Sequence, residues 1–160
     1  MIVRKLTTTL NYNQMIDIIR LMFEFGSLIV FSLLHIIIYP SFNYFSKEEL
    51  VNWYRDKRDQ IYLFAILLGP IHLTSIILQL VHKQDLYTIV SSITICALWV
   101  QHYVIIEANH AIIIKGVGSL EKAKRAIKNN NLIRIIILTF LLGWTILKTV
   151  QSTNFWLVTN

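Results

Sequence analysis

The chain is poor in the residues that serve most soluble chemistries. Only one of its 160 residues is a cysteine, Cys96, which excludes an internal disulfide, a thiolate zinc cage and an iron–sulfur cluster. Two prolines and five glycines leave few places at which a helix would break. Charged residues make up 15% of the chain, against roughly 25% in an average soluble domain, whereas 55% is hydrophobic and the mean hydropathy is +0.56. Acids are the scarcer sign, nine against fifteen Lys and Arg, for a formal net charge of +6. So apolar a chain has little surface on which to mount a basic groove, and nucleic acid is not an expected partner. The lipid bilayer is, with the cations in loops that face anionic lipid or the cytoplasm.

What the chain has instead is four apolar segments, residues 17–39, 61–81, 86–107 and 132–150. Crossing a hydrocarbon layer of roughly 30 Å takes about 20 helical residues, and in lipid only a helix satisfies every backbone amide within the segment. The expectation is an all-α fold: four transmembrane helices in a bundle, forming a single integral membrane domain over residues 1–160. Pro40 should close the first helix, and Gly69-Pro70 should kink the second. The first segment is too long for a cleavable signal peptide and carries Asp17, Arg20 and Glu24. His82-Lys83-Gln84-Asp85 suits a tight turn between antiparallel neighbours.

The other two links suit short interfacial helices. One starts at a capping box, Ser46 with Glu49, and sets Leu50, Trp53, Tyr54 and Ile61 on one face. The other runs from Gly116 to Asn131 and should end at Asn129-Asn130-Asn131. Together these links hold nine basic residues: Lys47, Arg55, Lys57, Arg58, Lys115, Lys122, Lys124, Arg125 and Lys128. The opposite side holds five: Arg4, Lys5, Arg20, Lys83 and Lys148. The positive-inside rule then puts both links in the cytoplasm and both termini outside. Trp53, Trp144 and Trp156 suit interfacial anchors, and Cys96 suits a small packing residue within its helix.

Ionisable side chains at membrane depth are costly, so their placement is informative. Asp17, Arg20, Glu24, Phe31, His35 and Tyr39 recur at helical spacing and form one stripe. His72, Ser75 and Gln79 do the same in the second segment, and Trp99, His102, Tyr103, Glu107 and His110 in the third. Asn131, Arg134 and Thr145 share a side of the fourth. Counting from the cytoplasmic ends gathers His35, His102, Tyr103, Glu107, His110, Asn131 and Arg134 around one mouth of the bundle. His102, Glu107, His110 and Arg134 are the candidates for chemistry, and His35, His72, Trp99, Tyr103 and Asn131 for ligand contact. Three uses compete. The cluster can be structural, with Arg134 pairing Glu107 and the remaining groups satisfying one another. It can hold a cofactor: His35 and His102 as axial ligands of a haem, or Glu107-x-x-His110 as half of a di-iron site whose second half is missing. Or it can be a pocket for a lipophilic small molecule such as a quinone, with a histidine or Glu107 moving protons. A non-catalytic subunit held by other membrane subunits is the further alternative. Asp17, Arg20 and Glu24 are expected to neutralise one another at the outer end.

An ordered set of short motifs runs through these segments. His35-x3-Tyr39-Pro40-x-Phe42 follows the first, Pro70 lies in the second, Trp99 to His110-x2-Ile113-x2-Gly116 ends the third, and Asn131-x2-Arg134 opens the fourth. The set resembles a group of small, uncharacterised four-helix bacterial inner-membrane proteins, and is more distantly similar to the anthrone-oxygenase-like membrane proteins. The resemblance covers most of residues 20–145 and implies fold and a multi-pass inner-membrane location rather than a reaction. The chain departs from that group at two places. Tyr54-Arg55 and Arg58 stand where the group often has histidines, and Ser75 stands where it tends to place an acid after the proline.

Overall fold

The computed structural model describes residues 12–158. Arg4 and Lys5, which enter the charge count above, and the side chains of Arg58, Ile61 and Trp156 lie outside what is described. The described chain is helical with no strand. Helix α1 (Tyr12–Leu33) runs through a π turn (Leu34–Ile38) into the short α2 (Tyr39–Ser41). Helix α3 spans Lys47–His82, and α4 spans Leu86–Gln101. A second π turn (His102–Ile106) joins α4 to α5 (Glu107–Lys115), and α6 spans Leu120–Val158.

Three of these stretches are long and apolar enough to cross a membrane: Gln14–Ser41, Leu86–Lys115 and Leu120–Gln151, with mean hydropathies of 2.2, 1.8 and 1.8. The expected second span is a shorter apolar piece, Leu67–His82, forming the end of α3. Exposed apolar side chains are what a lipid-facing surface requires: Met22, Ile36, Val81, Leu86 and Phe140 are each more than two-thirds exposed.

Local signals account for the helix ends. The Ser46–Glu49 capping box opens α3 as expected, with the Glu49 amide donating to Ser46 Oγ at 3.3 Å and the Ser46 amide to Glu49 Oε2 at 2.8 Å. Asp85 closes the tight turn by accepting from the Thr88 amide at 2.8 Å. Gly116 (φ 64°) and Gly118 (φ 76°) supply the left-handed backbone that turns α5 into α6, a conformation that disfavours a Cβ.

The links differ from expectation. Neither forms a separate interfacial helix: the Ser46 segment is the first part of α3, and residues 120–131 are the first part of α6. Asn129-Asn130-Asn131 does not end a helix, because its side chains find partners within and across helices. Asn130 donates to the Ala126 carbonyl and accepts from Gln101 at 2.8 Å, and Asn131 donates to the Phe31 carbonyl at 2.9 Å. Pro70 sits inside α3, which continues through it. The third apolar helix extends to Lys115, well past residue 107.

Side-chain contacts fix how the helices lie. Arg20 meets Gln79, Gly69 meets Trp99, and Asn131 meets Phe31, so α3 runs antiparallel to α1 and α4, and α6 antiparallel to α1. Leu50, Tyr54, Phe42, Ile113, Ala123 and Ile127 form one core beside the two long links. Ile76, Ile95, Trp99 and Leu141 form a second core deeper among the long helices. Trp53 belongs to the wall of the first, against Phe42 and Tyr54 at ring separations of 5.6 and 5.3 Å, rather than standing free as an anchor. Cys96 is exposed on α4, on the side carrying Ile93 and Val100, and so packs against no core.

Candidate functional site

The inward polar residues fall into two assemblies. The first lies toward the start of α1. Arg20 and Glu24 are completely buried and pair at 2.8 Å across one helical turn. Arg20 also donates to Gln79, whose amide nitrogen reaches Asp17 on the next turn of α1. Thr145 of α6 donates to the other oxygen of Glu24 and meets the Tyr87 hydroxyl at 2.7 Å. The guanidinium lies 4.7 Å from the centre of the Tyr87 ring. The expected Asp17–Arg20–Glu24 triplet is therefore drawn into a network over four helices, with Gln79 standing between Asp17 and Arg20. His72 is here too, 2% exposed on α3.

The second assembly surrounds a cavity of about 370 Å³ beside the two long links. Val30, Phe31, Leu33 and Leu34 form one wall, and Trp53, Tyr54, Lys57, Gln60 and Leu68 of α3 another. Trp99, His102, Ile106, Glu107, His110 and Arg134 close it. Four of the expected chemical groups and Trp99 thus meet at one place. The backbone helps to aim them: His102 opens the second π turn, and π turns insert a residue that redirects a helix face and gather at functional sites.

Arg134 is 2% exposed, and its contacts define the local chemistry. Its Nη1 donates to His102 Nδ1 at 3.2 Å, its Nη2 to the Leu98 carbonyl at 3.4 Å, and its plane covers the Phe31 ring at 4.7 Å. A guanidinium has no acceptor, so His102 Nδ1 must be the acceptor and the ring proton resides on Nε2. That Nε2–H points toward Glu107, whose Oε1 is 3.7 Å away, beyond hydrogen-bond reach. His102 thus stands between Arg134 and Glu107, in place of the direct pair expected from sequence. His110 packs its ring on Tyr54 at 5.3 Å. Burial raises the Tyr54 phenol well above its ordinary range, and Tyr39 and Glu107 nearby add to the effect, so the hydroxyl keeps its proton.

Three buried polar atoms on the cavity residues have no hydrogen-bond partner among the described residues: Arg134 Nε, His102 Nε2 and Tyr54 Oη. Buried polar groups are otherwise almost always satisfied, so such a group at a cavity indicates a place for a further partner. Tyr39, Tyr54, Lys57 and Gln60 complete the lining and were not singled out as site residues. Tyr39 was legible in the stripe of the first segment. Tyr54 was legible only as part of an apolar face.

The remaining expected residues lie elsewhere. Asn131 is beside the cavity rather than on it, holding the Phe31 carbonyl. Tyr103 is 53% exposed and turns outward, its ring 5.4 Å from His102. His72 belongs to the first assembly. His35 does not line the cavity, and its Nδ1 is buried without a partner among the described residues. Of the two expected haem ligands, His102 lines the cavity and His35 does not. Nor do three or more His, Cys, Asp or Glu side chains converge as metal ligands among the described residues.

Comparison of the chain with protein families, with characterised proteins and with solved structures gives no match.

Proposed function

We propose that the chain is a small multi-pass protein of a bacterial inner membrane that holds a lipophilic small molecule in the cavity at its cytoplasmic mouth. The second half of α3 supplies a fourth crossing, making a four-helix bundle with both long links in the cytoplasm and both termini outside. The fifteen basic residues, concentrated in those links, support that orientation. The observation that carries the reading is the cavity itself, with walls mainly of Leu, Ile, Phe and Trp and three unsatisfied polar atoms among its lining residues. An apolar space with a few convergent polar groups is the usual form of a small-molecule site.

Protein purified in mild detergent should retain a near-stoichiometric lipophile, detectable by mass spectrometry of an organic extract. Leu34→Trp, which fills the cavity from α1, should lose it. Identical extracts from the two proteins would overturn the reading.

A second use of the same site is proton transfer to a bound molecule. It is favoured by the His102 Nε2–H facing Glu107 across 3.7 Å, a gap that a substrate oxygen would bridge. In that case His102→Gln should retain the lipophile while losing turnover, and a variant that also loses the lipophile would count against it.

A further inference from the structure

The donor set of the cavity selects a class of occupant. We infer that the occupant is a single-chain amphiphile with a carboxylate head, chemically a fatty acid, which enters sideways from the bilayer. The inference rests on the cavity reading above and goes further by naming the head group and the way in.

Arg134 is a permanent cation buried to 2% exposure, yet its contacts are a neutral imidazole, a backbone carbonyl and an aromatic face. None of them is an anion, and a buried cation without a counter-ion is costly. Lys57 in the lining is exposed, so water serves its charge. Among the described residues, Arg134 therefore has no anion in contact with it.

The free donors set the shape of that anion. Nη1 and Nη2 of Arg134 each have one partner among the described residues, whereas its Nε–H has none. His102 offers its Nε2–H, and Tyr54 its hydroxyl, which burial keeps protonated. Three single donors suit the two oxygens of a carboxylate. A phosphate, with a larger charge and more oxygens, calls for more buried cation than Arg134 alone supplies, since Lys57 is exposed.

The route follows from the walls. Leu33 lines the cavity and is also 51% exposed on the outer face of α1, so the space opens through that face. Lys57, an exposed residue of α3 beside the first long link, also lines the cavity. A fatty acid lying in a leaflet presents its groups in that order, head at the interface and chain among apolar side chains.

The test uses the full chain in mild detergent and a long-chain conjugated-polyene fatty acid whose fluorescence rises in an apolar site, with Leu34→Trp as the background. The acid should bind saturably, and its methyl ester about tenfold more weakly or worse, since the ester has the same chain without the charge. Arg134→Gln should weaken the acid by a similar factor and leave the ester unchanged. The ester comparison needs no variant, so it stands even if Arg134→Gln fails to fold. Equal binding of acid and ester, both lost in Leu34→Trp, would overturn the carboxylate inference while sparing the cavity reading. Saturable binding of neither would overturn the inference, whereas the extract measurement judges the cavity reading separately.

Discussion

Arg20 and Arg134 are alike in most respects that sequence can describe. Both are buried, to 0% and 2% exposure, both lie on apolar helices, and both set their guanidinium 4.7 Å from an aromatic centre, Tyr87 in one case and Phe31 in the other. Each leaves one nitrogen without a partner. What separates them is the counter-ion. Arg20 holds Glu24 at 2.8 Å within a network that also engages Gln79, Thr145 and Tyr87. Among the described residues Arg134 contacts only neutral groups, and it faces a cavity of about 370 Å³. The first arrangement closes charge against charge, although Arg20 Nη2 and His72 Nε2 there have no partner among the described residues. The second is complete only when something else arrives, and this distinguishes a structural polar cluster from a binding one within a single protein.

The sharpest way to break this comparison is to remove the counter-ion at the closed end. Glu24→Leu strands Arg20 in the interior and should cost about 3–5 kcal/mol, read as a large fall in the thermal unfolding midpoint in mild detergent. The double variant Arg20→Leu/Glu24→Leu should recover much of that loss, because the orphaned charge is gone. Arg134→Leu should cost less than Glu24→Leu, since it strands no carboxylate. A well-tolerated Glu24→Leu, or a double variant no better than the single, would show that the Arg20 end is not closed by charge.

Hydroxyls sharpen the contrast on a smaller scale. Thr145 serves both Glu24 and Tyr87, so Thr145→Val should cost about 1–3 kcal/mol by leaving those groups short of a partner. The Tyr54 hydroxyl is buried without a partner among the described residues, so Tyr54→Phe should leave stability unchanged or raise it slightly. The same variant should weaken any carboxylate ligand. Should the two variants destabilise equally, the mouth would be as well satisfied as the far end.

Part of this was legible in the chain, and the missing part has physical causes. Hydropathy and the helical period gave the all-helical fold and the long apolar segments, since lipid permits no other use of such runs. Depth counting brought His102, Glu107, His110 and Arg134 together, because a straight helix converts sequence position into height. It failed for His35 and Tyr103. Both belong to π turns, whose inserted residue redirects the side chains of the turn itself and leaves no signature in the sequence. It also failed for Tyr54, which reaches the cavity only because the link helix continues unbroken into α3. The three asparagines misled for a related reason. Asn is a weak helix former, but the cost of about half a kcal/mol each is met for Asn130 and Asn131 when Gln101 and the Phe31 carbonyl take up their side chains.

Glycine substitutions probe the wall of the cavity against its frame. A Cβ on Gly69 would stand 3.0 Å from two ring carbons of Trp99, which is both a core residue and a cavity wall. Gly69→Ala should therefore cost about 1–2 kcal/mol through overpacking and shift the tryptophan emission as the ring moves. Gly116→Ala meets only ordinary contacts but must hold φ at 64°, so it should cost about 1–2 kcal/mol without changing that emission. An emission change common to both would mean that Trp99 reports on general loosening rather than on its own seat.

The smallest effects concern the helix caps, one at each end of the long α3. Asp85 lies in the turn after it, and Glu49 in its first turn beside the mouth. Partial burial alone would raise the Asp85 carboxyl, but the Thr88 amide and hydroxyl, with Lys83 and Lys148 beside it, hold it below the ordinary carboxylate range. The Ser46 amide and hydroxyl lower Glu49 in the same direction. A carboxyl lowered by folding adds stability above its unfolded pKa, about 3.9 for Asp and 4.3 for Glu, and loses it as pH falls through the folded value. Both contributions should thus be intact at neutral pH and fade below about pH 4. Asp85→Ala should cost about 1 kcal/mol at neutral pH, whereas Asp85→Asn, which still caps, should cost little there and flatten the acid side of the stability curve. Glu49→Gln should flatten it less, because Glu49 is exposed and water can replace its bonds. If Glu49→Gln alters the acid limb more than Asp85→Asn does, the cap beside the mouth carries the greater load, and the closed end is not the better anchored of the two.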